Sequence, residues 1–69
     1  MNWDRVKGNW NNLKGKAKEK WGKLTDDDLL TIEGHRDQLA GKLQERYGFA
    51  KEKAEQEMDD FQRGLDQPE

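Results

Sequence analysis

Apolar side chains in the first third of the chain fall at Trp3, Val6, Trp10, Leu13, Ala17, Trp21 and Leu24. Spacings of three and four place them on one stripe of an α-helix, and the pattern predicts a helix over 3–21. Gly22 follows as a stop, because glycine accepts the left-handed conformation at a helix end. Thr25 is placed to cap the next helix, predicted over 26–33. Asp26, Asp27 and Asp28 fill its first turn, where the helix dipole favours negative charge, and Asp28 stands in the capping-box position. Leu29, Leu30 and Ile32 form its apolar face. Leu39, Leu43 and Tyr47 carry a stripe through a helix predicted over 34–47, which Gly48 stops. Ala50, Ala54, Met58, Phe61 and Leu65 mark a last helix, over 50–63. Alternation of β-branched residues is absent, so strands are not expected. The expected fold is all-α. It is a four-helix domain over 1–69, frayed at about 65–69. Its core is expected to hold Trp10, Leu13, Trp21, Leu24, Ile32, Leu39, Leu43, Tyr47, Phe49 and Phe61.

The chain also repeats itself. GNWNNLKGKAKEKWGKL (8–24) aligns without a gap on GHRDQLAGKLQERYGFA (34–50), offset by 26 residues, with six identities in 17 positions. The identities are Gly8, Leu13, Gly15, Lys16, Glu19 and Gly22 with Gly34, Leu39, Gly41, Lys42, Glu45 and Gly48. Two similar helix–turn–helix units with a pseudo-twofold packing are the natural arrangement for such a repeat.

Gly15 and Gly41 sit inside predicted helices, where glycine costs about 1 kcal/mol relative to alanine. Two readings account for them: close backbone approach, within the chain or across an oligomer, or a helix kept soft. On the first reading Gly15, Lys16, Gly41 and Lys42 form a candidate contact surface.

Composition narrows the chemistry. Of 69 residues 41% are charged and 30% apolar. The apolar share lies well below the roughly 45–50% of an ordinary soluble domain, so a chain of this length is expected to be marginally stable. There is no cysteine, hence no disulfide, thiolate metal site or cysteine nucleophile. Serine is absent, and His35 and Tyr47 are single. His35 alone lacks the companion ligands a metal needs. The Asp26–Asp28 run lacks the spacing and glycine of a calcium loop. No catalytic residue, metal or cofactor is expected, and the protein reads as a non-enzyme.

Charge is segregated: residues 1–24 carry +5 and residues 25–69 carry −7, for a net −2. The lysines of the first helix spread around its circumference, whereas a phosphate-binding face would gather them. The pI of about 5.4 is far from that of a nucleic-acid domain. Trp3, Trp10 and Trp21 could stack on bases, but their spacing, interleaved with Val6, Leu13 and Ala17, is that of a buried stripe, and core packing is the expectation for Trp10 and Trp21. No run of 18 apolar residues would span a membrane, and MNWDRVKGNW lacks the apolar core of a secretory signal. A cytoplasmic location is expected.

The runs GNWNNLKGKAKEKWGKLTDDDL and EGHRDQLAGKLQERYG resemble the CsbD family of small bacterial stress proteins, from Gly8 to about Met58. The resemblance implies an all-helical fold of two helical hairpins packed across each other, and expression under general stress. It brings no catalytic or ligand-binding residues. The leading expectation is a non-enzymatic stress-response protein with a protective or adaptor-like role. The alternatives are a nucleic-acid-binding module and a peripheral membrane protein using the basic, Trp-bearing first helix. The partner and oligomeric state stay open.

Overall fold

A helix begins where its first backbone N–H groups find an acceptor, and Asn2 supplies one: its side chain accepts from the Arg5 N–H at 2.9 Å. The computed structural model describes residues 2–66, and all secondary structure among them is helical. Five helices follow one another: α1 (Trp3–Gly8), α2 (Trp10–Lys20), α3 (Asp26–Ile32), α4 (Arg36–Tyr47) and α5 (Lys51–Asp66).

The expected four helices are therefore five, because the helix over 3–21 is broken at Asn9. That residue ends α1 and starts α2 at φ −112°, ψ 18°. Its side-chain amide donates to the Arg5 carbonyl at 3.2 Å, a local bond that competes with helix continuation. Apolar spacing runs unbroken across the break, so Val6 and Trp10 are both buried.

The end of α2 also differs from expectation. Gly22 is not left-handed; the positive-φ glycines are Gly34 and Gly48. Trp21 itself leaves the helix, at φ −121°, ψ 77°. Its ring turns into the core, 5.1 Å from Phe61 centroid to centroid. Burial of that indole, 1% exposed, ends the helix without a glycine cap.

Helix α3 opens on a complete capping box: Thr25 Oγ1 accepts from the Asp28 N–H, and Asp28 Oδ2 accepts from the Thr25 N–H, both at 3.0 Å. It closes on two successive left-handed residues, Glu33 at φ 51° and Gly34 at φ 79°. These reverse the chain, and α4 consequently starts at Arg36 rather than at 34. Helix α4 ends at Gly48, left-handed at φ 70°. Helix α5 extends past its expected end at 63 to Asp66. The remainder of the expected frayed end, 67–69, lies outside the described residues.

Each helix packs on the next in sequence, around one cluster of buried apolar side chains. Val6, Trp10, Leu13, Ala17, Trp21 and Leu24 share this cluster with Leu29, Ile32, Leu39 and Leu43, and Ala54, Met58 and Phe61 of α5 complete it. Tyr47 and Phe49, expected in the core, are half-buried at its edge. Their rings stack at 5.0 Å, and the Tyr47 hydroxyl accepts from the Lys23 N–H at 3.2 Å. Lys23 lies over the Tyr47 ring and Lys53 over the Phe49 ring. The lysine stems cover what the core leaves open.

Candidate functional site

Among the described residues Asp28 is the one buried charged side chain, 4% exposed. The capping box points its carboxylate from α3 toward α4, where Arg46 and Lys42 stand one turn apart. Arg46 donates from Nε to Oδ2 at 2.9 Å and from its terminal nitrogen to Oδ1 at 3.1 Å. Lys42 Nζ lies 3.5 Å from Oδ1. The Arg46 hydrogen bonds, reinforced by the Thr25 N–H, hold the Asp28 carboxyl well below the usual carboxylate range, although burial opposes this. The same contact raises Arg46 above its ordinary value. Both carboxylate oxygens accept from donors within the chain, three hydrogen bonds in all, so the group works as a clamp between α3 and α4.

The other two aspartates of the run face water. Asp26 bonds Lys18 of α2 at 2.8 Å, and that lysine lowers its pKa. Thus two of the three acids fasten α3 to a neighbour in addition to meeting its dipole. Among the described residues no three histidine or carboxylate side chains gather as a metal site. His35 caps α4 by position only, exposed and without a side-chain cap bond.

The tryptophans are committed to the interior. Trp10, 6% exposed, donates its indole N–H to the Leu29 carbonyl at 2.6 Å, satisfying a carbonyl near the C-terminal end of α3. Trp21 donates to Glu57 Oε1 of α5 at 3.2 Å. Trp3 is half-buried against the same core. The ring faces of Trp10 and Trp21 are therefore occupied by protein.

The four residues of the expected contact surface have different surroundings. Gly15 and Gly41 are exposed, and a Cβ added at either would meet nothing within 4 Å. Close backbone approach within the chain is thus not their role. It occurs at Gly34, where a Cβ would lie 2.6 Å from Lys7 Cα. Lys42 is half-buried on Asp28 and also reaches Glu45 at 3.6 Å. Lys16 is exposed, beside Lys20 and Asp60 where α2 meets α5.

Sequence reasoning missed one surface feature. Between α2 and α3 runs an open groove of about 490 Å³, lined by Asn11, Lys14, Gly15 and Lys18 on one side and Leu29 and Leu30 on the other. Leu30, taken as part of the apolar face of its helix, is 55% exposed. The signal was present: Leu29 and Leu30 are adjacent, and neighbours in a helix point about 100° apart.

The CsbD-like family model matches residues 4–56. The chain belongs to the CsbD-like family. Its relatives include the UPF0337 protein YjbJ of Escherichia coli K12, 61% identical over 62 residues that cover 90% of each chain. A UPF0337 protein of Pectobacterium atrosepticum is 67% identical over 58 residues, 84% of each chain. Another, from Pseudomonas aeruginosa, is 62% identical over 61 residues, 88% of this chain and 94% of the relative. The CsbD-like match takes in α2, α3 and α4 whole and stops inside α5, so it contains the whole Asp28–Arg46–Lys42 clamp. No helix of the described residues is long and apolar enough to cross a membrane.

Proposed function

We propose that this CsbD-like protein is a non-enzymatic, cytoplasmic stress-response protein that acts through its surface, as a protectant or adaptor. The reading takes 1–69 as one domain, its two repeat units forming a pair of packed hairpins. One observation carries it: the polar groups best suited to chemistry are spent on the fold. The Asp28 carboxylate is engaged by hydrogen bonds from Arg46 and Thr25 and by the Lys42 ammonium. The indole donors of Trp10 and Trp21 are satisfied inside the chain. What the protein offers to other molecules is a hydrated, highly charged helical exterior around a small core. Such a surface suits a molecule that shields others by excluding or ordering water.

The test has a cellular and a purified arm. A strain lacking the gene is compared with its complemented parent after osmotic upshift and after drying. In parallel, a labile enzyme is dried with the purified protein or with an equal mass of albumin. Lower survival of the deletion strain together with superior recovery of the enzyme supports a protectant. Lower survival without that recovery supports an adaptor. Equal survival in both stresses, with no enzyme protection, overturns the reading.

A further inference from the structure

Two features of the groove between α2 and α3 have no use within the chain, and its charges are only partly paired there. Leu30 is the one large apolar side chain of the described residues left mostly in water. On the opposite wall Gly15 leaves open space where any other residue would put a Cβ, and glycine there weakens α2 without a compensating contact. The two walls also differ in charge. Lys14 and Lys18 line the groove from α2 and Asp26 from α3, and exposed Asp27 borders it one turn before Leu30 on the same helix. Lys18 and Asp26 pair with each other and Lys14 acts on Asp26 at longer range, whereas Asp27 makes no ion pair among the described residues.

We propose that this face is a homodimer interface: the α2–α3 groove docks on the same groove of a second copy about a two-fold axis, with Leu30 of each copy seated over Gly15 of the other. A two-fold interface has to be complementary to itself. One face must then hold both the projection and the recess, and both signs of charge. This face holds Leu30 and Gly15, and lysines facing aspartates. Laying α3 of one copy on α2 of the other brings Asp27 toward Lys14 at both ends of the axis. A nucleic acid or an acidic helix would match the lysine wall but meet Asp26 and Asp27 with like charge, which disfavours both as occupants. The patch is smaller than the roughly 800 Å² per partner of a standard interface, so association is expected in the micromolar-to-millimolar range.

Sedimentation of the full chain over that range tests the proposal. The mass should rise from one chain, 8.1 kDa, toward two. Leu30→Asp should weaken self-association about tenfold or more with unchanged helicity. Gly15→Leu should fill the recess and weaken it similarly, while melting no lower than wild type in dilute solution, which separates lost docking from lost folding. Lys14→Glu should weaken the dimer and Lys14→Glu combined with Asp27→Lys should restore it. A wild-type chain that stays monomeric overturns the proposal. So does undiminished association of Leu30→Asp and Gly15→Leu, or failure of the charge swap to restore the dimer.

Discussion

Gly34 stands against the backbone of Lys7: a Cβ at 34 would lie 2.6 Å from Lys7 Cα and 3.1 Å from the Val6 carbonyl oxygen. Through this contact the turn between α3 and α4 holds α1 in place. The neighbouring atoms are backbone and have little freedom to move aside. Gly34 is also left-handed, at φ 79°, so any side chain there is strained twice. Gly34→Ala should destabilise the protein by about 2–4 kcal/mol, from left-handed strain plus overpacking. Urea midpoints of the variant and wild type measure this, and a loss below about 1 kcal/mol would show that the turn can relax.

Gly15 and Gly41 should behave in the opposite way. Both are helical, neither has a positive φ, and nothing stands within 4 Å of an added Cβ. Gly15→Ala and Gly41→Ala should each raise stability by up to about 1 kcal/mol. Thermal melts at low micromolar concentration are the suitable measurement. A lowered melting temperature for either would reveal a contact made by the single chain in solution.

Thr25→Ala should cost about 1 kcal/mol through loss of the cap. The Thr25 hydroxyl accepts from the Asp28 N–H at 3.0 Å, and alanine has no oxygen to take its place. Thr25→Ser keeps that oxygen and should recover most of the loss. Equal denaturant midpoints for Thr25→Ala and wild type would contradict the role of the cap.

Asp28 should make the protein acid-sensitive. Its folded-state pKa is depressed below the ordinary value of 3.8, chiefly by the Arg46 hydrogen bonds. A carboxylate with a depressed folded pKa contributes stability that is complete above its unfolded pKa. That contribution declines as pH falls below about 4 toward the folded value. Asp28→Asn should lower stability at neutral pH by more than Thr25→Ala does, because it removes the anion that Arg46 holds through two hydrogen bonds and leaves Lys42 with Glu45 alone. It should also flatten the acid limb of the stability profile. Parallel acid limbs in variant and wild type would assign the sensitivity to other carboxylates.

Much of the helical skeleton was legible because burial follows a period that sequence displays. Leu13, Ala17, Leu39, Leu43, Ala54 and Met58 recur at helical spacing and are buried. The break at Asn9 was not legible, because Val6 to Trp10 preserves that spacing across it. At Gly22 and Gly48 the repeat predicts one conformation, yet Trp21 is pulled into the core and Tyr47 stays at its edge. Tertiary packing thus separates two positions that the sequence makes equivalent. The Thr25–Asp28 box could be read locally, since both partners lie within one turn. The Arg46 partner of Asp28 is 18 residues away, and charge patterning along one helix holds no information about it. Gly34 aligned with Gly8 and so looked like one more periodic glycine. The chain reversal that brings it against Lys7 is a property of the assembled fold.

The interruption at Asn9 divides the molecule by stiffness. Six residues of α1 are too few to persist as an isolated helix, and Val6 is its one fully buried anchor. The segment therefore owes its form to the surface beneath it. Its amides should exchange with deuterated solvent at a lower opening energy than those of α2 and α4, which run through the core. Opening of Trp3–Gly8 alone would uncover Val6 and Trp3 while α2 to α5 keep their packing, a loss that global melting would not register.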